Sequence, residues 1–270
     1  MQSRQERHSM GQQPVQQKRH VGSKFLGIVF IVIFMITMIA NQTLLNEKFV
    51  ANQITESQIG DEIVSDVNQS ASQYGLSEKI MTKKIANELI KDAISDVFND
   101  QTVSIDYTPV YNRVDRLINQ KVSSLGYGSV SLSSTVKSEL RAKMTSVIND
   151  QLDTTELTTV SNELATVKQA VNVMQIVSGG VLVLLLVVAL FKRYVLSWLG
   201  IVALFGGILT LIIIKGANMV LTSVLTSQEV LASFSPQLPN AIFSSSLIYL
   251  IGAIIIGILL LGINKVIHRS

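Results

Sequence analysis

Four stretches of about twenty residues carry no Asp, Glu, Lys, Arg or Pro: Phe25 to Leu45, Val173 to Phe191, Val195 to Ile214 and Ile242 to Ile263. A helix needs about 20 mostly apolar residues to cross the hydrocarbon core of a bilayer, so each run is long enough to span. Only 15% of the chain is charged and 48% is hydrophobic, against roughly 25% charged in an average soluble domain. The pattern predicts an all-α membrane protein with transmembrane helices over residues 24–45, 173–191, 195–214 and 242–263. The first run follows a basic segment, as a secretory signal does. A cleavage site wants two small residues, however, and Met38-Ile39-Ala40 puts Met at the outer position, which favours a retained anchor.

Lys and Arg near short loops stay in the cytoplasm, and the basic residues set the expected orientation. Residues 1–24, the connection at Lys192 and Arg193 and the tail after Ile263 carry nine basic residues against one acid, a net +8. Residues 46–172 carry twelve Lys and Arg against seventeen Asp and Glu, a net −5, and Lys215 balances Glu229 in residues 215–243. Both termini are expected in the cytoplasm of a cell membrane, with residues 46–172 an extracytoplasmic domain inserted between the first and second spans. The pI of about 9.0 then reflects basic inner flanks, whose expected partner is an anionic lipid surface rather than nucleic acid.

Residues 1–23 hold no sustained apolar pattern and are expected to be a disordered tail. Residues 46–172 read as amphipathic helices. Thr55 with Gln58 fits a capping box ahead of Ile59, Ile63 and Val67, with Gly75 as a stop. Ser77 is placed to cap a helix through Ile80, Ile85, Leu89, Ala93, Val97 and Phe98, ending near Asn99. Thr108 and Pro109 open a third, with the stripe Val110, Val114, Leu117, Ile118 and Val122. Ser133 or Ser134 opens a fourth through Val136, Leu140, Met144, Val147 and Ile148. Val103-Ser104-Ile105 and Val130-Ser131-Leu132 alternate with period two and suggest a small two-stranded patch, in what reads as a weak 27-residue repeat.

Before the second span, Leu157, Val160, Leu164, Val167, Val171 and Met174 alternate spacings of three and four residues, the seam of a coiled coil. Asp153 with Glu156 fits a capping arrangement, and neither Gly nor Pro interrupts the chain until Gly179. A helix from Thr155 to Phe191 would extend about 55 Å and join the outer domain to the membrane. The seam is expected either to pack on the other outer helices or to form a homo-oligomer.

The chain has no Cys, and its three His, at positions 8, 20 and 268, lie near the termini. A Ser-His-acid triad or a zinc peptidase site therefore has no histidine in residues 46–172. Neither a GxxxxGK phosphate loop nor GxGxxG occurs. Asp61 with Glu62 and Asp92 with Asp96 are read as solvated helix faces among lysines. No ionisable residue lies within the four spans, which argues against an autonomous ion pump. Lys215 is expected to snorkel. The expectation is thus no catalytic residue, no metal and no cofactor.

Ala203 and Gly207 in the third span and Ala253 and Gly257 in the fourth have small-xxx-small spacing, and Gly252, Gly257 and Gly262 form a five-residue series, all suited to close helix packing. Beyond Lys215, the stripe Val220, Val224, Leu231 and Phe234 is expected either to extend the third helix or to lie on the interface. Pro236 and Pro239 end this 215–241 loop, and residues 264–270 form a short tail.

The order of parts, one span, a large outer domain and three clustered spans, resembles the layout of the FtsX and MacB class of ABC-associated permeases. The resemblance is of topology alone, and the helical outer domain departs from it. It implies a subunit or accessory of a membrane transporter as the alternative role. The leading expectation is a non-enzymatic bacterial envelope protein, a sensor or scaffold whose outer domain binds a protein partner.

Overall fold

The computed structural model describes residues 17–73, 78–99, 102–124, 134–152, 154–227 and 237–267. They form nine helices: α1 (Gln17–Gln42), α2 (Glu47–Glu56), α3 (Ile59–Gln73), α4 (Lys83–Phe98), α5 (Thr108–Ser124), α6 (Ser134–Leu152), α7 (Thr154–Phe191), α8 (Val195–Ser227) and α9 (Gln237–Ile267). Four of them, α1, α7, α8 and α9, are long and apolar enough to cross a membrane. The chain is all-helical among the described residues and fits a multi-pass membrane protein. It divides into two compact units, the first Met1–Met38, Val173–Ile214 and Ser246–Ser270, the second Ile39–Asn172 and Lys215–Ser245.

The second unit is built on α2 to α6, with α3 packed on α2, α4 and α6. Ile63, Val67, Leu89, Ile90, Val110, Val114, Ile118, Leu140, Met144 and Ile148 make one buried core. Apart from Ile90, these residues belong to the stripes expected for four amphipathic helices, since one face of each 3.6-residue period must leave water. The side chains of Val122 and Val136 lie outside the described residues, as do Gly75, Ser77, Gly126, Ser133, Asp153, Leu231, Phe234 and Pro236.

The caps differ from the sequence reading in two places. Asn46 opens an additional helix, α2, by accepting from the Phe49 amide at 3.0 Å. Thr55 is therefore not a cap. It is buried in the last turn of α2 and donates to the carbonyls of Ala51 and Asn52 at 2.9 and 3.1 Å. Ser57 makes the break instead: its amide closes on Ile54 at 3.1 Å, and its hydroxyl accepts from the Ile59 amide at 3.3 Å. Thr82 caps α4 by accepting from Ile85 at 3.4 Å.

The segment before α4 is held by Asn68 of α3, whose amide donates to the Met81 carbonyl and accepts from the Met81 amide, both at 2.9 Å. One side chain thus satisfies both backbone groups of a residue that has no helix to do so, and Ile80 and Met81 are buried beside it. Val103-Ser104-Ile105 forms no strand. Val103 and Ile105 are buried and Ser104 is exposed, so the period-two pattern is real, but the two buried side chains pack into the helical cores rather than in a sheet. Its suggested partner, Val130-Ser131-Leu132, is outside the described residues, as is the second copy of the repeat that it anchors.

In the first unit α1 begins at Gln17, so residues 17–23, expected in a disordered tail, belong to a helix. In the second unit α8 runs on past Lys215 to Ser227, the helical of the two routes expected for Val220 and Val224. Pro239 sits in the first turn of α9, where a missing N–H leaves no helical bond unmade.

Candidate functional site

The six seam residues of α7 divide between two faces. Leu157, Leu164 and Val171 are half-buried, whereas Val160, Val167 and Met174 are 47%, 48% and 56% exposed. In the second unit Leu157 and Leu164 pack on Ala93, Val97 and Val103. Between them lies Ser161, which is buried and donates to the Val97 carbonyl at 2.9 Å. The covered line within this unit therefore runs through Leu157, Ser161 and Leu164, with Val171 half-buried beyond them, and the other members of the expected seam, Val160, Val167 and Met174, lie on the exposed face. At the end of this stretch Asn41 of α1 donates to Asn172 at 3.1 Å.

In the first unit Leu182, Leu185, Leu186 and Ala189 of α7 pack in one cluster, and Ser178 is buried one turn before them. The Ser178 hydroxyl turns back to the Met174 and Gln175 carbonyls at 2.7 and 3.1 Å, which leaves it no unmet donor.

Helix α8 lies between α1 and α9 in this unit, and small residues set both contacts. On α1, Gly27 lies against Trp198 and Val202, Ile31 against Gly206, and Met35 beside Thr210. These pairs advance together, so α1 and α8 are parallel. Toward α9, a β-carbon on Gly207 would meet Ala253 and Ile254, one on Gly200 would lie 2.8 Å from Leu261, and one on Gly257 would lie 2.6 Å from the Leu204 amide nitrogen. These pairs run oppositely, so α8 and α9 are antiparallel. Lipid tails are as apolar as Leu, and such backbone proximity replaces the hydrophobic effect as the source of association. Gly207, Ala253 and Gly257 thus sit at one interface, while Ala203 is half-buried. The five-residue glycine series does not act as one, because a β-carbon on Gly252 or Gly262 would meet nothing within 4 Å among the described residues.

One end of this unit is organised by Trp198, the chain's single tryptophan, which is 1% exposed. Its Nε1 donates to the Ser23 carbonyl at 3.1 Å, and the Ser23 hydroxyl shares a 3.2 Å hydrogen bond with the Tyr194 hydroxyl. Helix α7 stops beside them in a Schellman turn. The Tyr194 amide bonds to Ala189 O at 3.2 Å, the Arg193 amide bonds to Leu190 O at 3.0 Å, and Arg193 has φ 56°. Glycine takes this position freely; a residue with a β-carbon loses about 1–2 kcal/mol there.

The second unit presents an open groove of about 830 Å³ between α5 and α6, lined by Tyr111, Lys137, Arg141, Thr145, Asn149 and Asp150 among others. The Arg141 guanidinium sits 5.1 Å from the Tyr111 ring centre and pairs with Asp115. The Tyr111 hydroxyl bonds to Thr145 at 2.6 Å, and the Tyr107 hydroxyl donates to Asn149. Burial, with Tyr111 adding to it, pushes the Tyr107 phenol above its usual range, against the opposing hydrogen bond to Asn149. Arg141 Nε and Asp115 Oδ1 are buried with no hydrogen-bond partner among the described residues.

Carboxylates gather at the end of α4. Burial raises the Asp92 carboxyl above its ordinary range, and the charges of Asp106, Asp96 and Glu88 add to this. Asp96 is engaged by the Ser104 amide at 2.9 Å. Asp106 is held below its ordinary value by hydrogen bonds from the side chain and amide of Thr108. Lys83 pairs with Asp61 at 3.0 Å, both side chains being exposed on the helix face that was read as solvated. Among the described residues no three His, Asp or Glu side chains converge as a metal site.

Sequence reasoning passed over Ser161, Trp198 and the Tyr111–Arg141 pair, and counted Arg193 for its charge without the turn that it makes. A lone Trp beside a Tyr at the edge of a span was a usable signal, since both rings favour that depth. Arg193 carried none, because a Schellman turn is normally recognised by its glycine. Comparison of the chain with protein-family models, curated proteins and solved structures finds no match.

Proposed function

We propose that this chain is a non-enzymatic component of a bacterial cell envelope, in which residues 46–172 lie outside the cytoplasm and bind or sense a protein partner. Helix α7 then passes the bound state to the membrane helices. The observation that carries this reading is α7 itself, continuous from Thr154 to Phe191 with no break at Asn172. A continuous helix transmits displacement along its axis far better than a flexible loop. Support for the sidedness comes from the net +8 and −5 of the two flanks. The α5–α6 groove, with a cation stacked on an aromatic ring and amide and hydroxyl groups around it, offers the chemistry that protein surfaces recognise.

The test uses a photo-crosslinking residue at Ser146 in the groove, with one at exposed Ile258 of α9 as control, in native membranes. One protein partner captured at Ser146 and absent at Ile258 is the expected result. Recovery of the protein only as itself rejects partner binding, and an ATPase or permease moves the role to a transporter accessory. A Gly-Gly-Ser insertion beside Asn172 should preserve capture while abolishing any partner-dependent change in Trp198 fluorescence. An unchanged fluorescence response in the insertion variant rejects coupling through α7.

A further inference from the structure

We propose that the end of the first unit formed by Lys24, Lys192, Arg193 and Lys265 binds the phosphate headgroups of anionic phospholipids. Three chain segments meet there. The Ser23–Tyr194 and Trp198–Ser23 hydrogen bonds bring Lys24 beside the α7–α8 turn. The antiparallel register through Gly200–Leu261 and Leu204–Gly257 carries Lys265 level with the start of α8.

No Asp or Glu occurs in residues 17–28, 191–200 or 261–267, and none of the four cations makes an ion pair among the described residues. Their depth identifies the anion. Lys24 directly precedes the apolar run at Phe25, Lys192 and Arg193 separate two such runs, and Lys265 follows Ile263 by two residues. Cations so close to the hydrocarbon edge lie where lipid phosphates are, and basic residues near an anionic leaflet are attracted to it.

Arg193 adds an independent observation. The turn asks for glycine at this position, and the arginine side chain is exposed, so the fold itself gains no packing from it. A cation kept against the backbone's preference points to use of its charge. Five donors in a planar fork suit a phosphate better than an ammonium does.

The full chain, reconstituted in phosphatidylcholine vesicles or in an equal mixture with phosphatidylglycerol, is followed by thermal unfolding through Trp198 fluorescence. Lipid retention is read by native mass spectrometry. The wild type should unfold at higher temperature in the mixed vesicles and retain phosphatidylglycerol. Arg193→Gly removes the charge while relaxing the turn, and should bind phosphatidylglycerol about fivefold more weakly, the effect of losing one interfacial basic residue. Lys265→Gln, outside the turn, should also weaken binding, and Arg193→Lys should retain most of it. Equal unfolding temperatures in the two vesicle types, or wild-type lipid retention by both Arg193→Gly and Lys265→Gln, overturns the proposal. So does a rise of equal size produced by inorganic phosphate in phosphatidylcholine alone, which would assign the site to free phosphate.

Discussion

The Ser161 hydroxyl closes a 2.9 Å hydrogen bond on the carbonyl of Val97, one residue from the end of α4. Carbonyls in the last turn of a helix have no intrahelical donor, and here another helix supplies it. Ser161→Ala leaves the buried carbonyl unmet, and should lower stability by about 1–3 kcal/mol in chemical unfolding of the detergent-solubilised protein. A change within error would mean that the hydroxyl does not hold α7 to α4.

Asn68→Ala removes both bonds to Met81 at once. Residues 79–82 then lose their anchor to α3, and hydrogen exchange there should accelerate well before the α3–α6 core opens. The expected loss is about 1–3 kcal/mol, and unchanged protection of the Met81 amide would refute the clamp.

Gly257 and Gly252 make a matched pair on α9. Gly257→Leu forces a side chain into the backbone of Leu204, which cannot yield as a flexible side chain can, and should reduce the folded fraction in size-exclusion chromatography. Overpacking costs about 1–3 kcal/mol even where neighbours adjust. Gly252→Leu meets open space and should elute as the wild type does.

Acid should act on α4 and α5 in opposite directions. The Asp92 carboxyl is raised, so its folded state favours the proton: the stabilisation is complete below the ordinary value of 3.8 and is lost as pH rises through the raised one. Asp92→Asn should therefore stabilise at pH 7, by a margin that disappears as pH falls below 3.8. Asp106 is lowered, so its contribution is present above 3.8 and lost as pH falls through its depressed value. Asp106→Ala should destabilise at pH 7 and become indistinguishable from the wild type in strong acid. Melting curves across this range test both signs.

With one tryptophan in the chain, intrinsic emission reports directly on the α1–α8 contact. Trp198 should emit in the blue and resist acrylamide. Gly27→Val, whose β-carbon would lie 2.8 Å from the indole, should shift emission to the red and raise quenching.

Much of this architecture was legible because it rests on periodicity. The spans and the stripes of α3 to α6 follow from apolar residues recurring at helical spacing, a signal that burial enforces directly. The losses came where polar atoms decide. Asn46 and Ser57 break the chain into α2 and α3, yet Thr55 with Gln58 satisfied the same capping pattern, since short hydroxyl side chains serve equally at caps and within helices. On α7, counting apolar groups selected Val160 and Val167 and passed over Ser161. The glycines of α8 and α9 were identified correctly as small, but only their register told Gly257 from Gly252.

Helix α7 carries two lines that a purely hydrophobic tally would rank almost equally, one through Val160 and Val167 and one through Leu157, Ser161 and Leu164. Adjacent residues on a helix differ by about 100° of azimuth, so a turn of that size about its own axis would exchange Ser161 for Val160 against α4. Shape and apolarity hardly distinguish the two settings. A single hydroxyl, satisfied in one of them and stranded in the other, gives the rod its rotational address and works as an index mark on an otherwise smooth shaft.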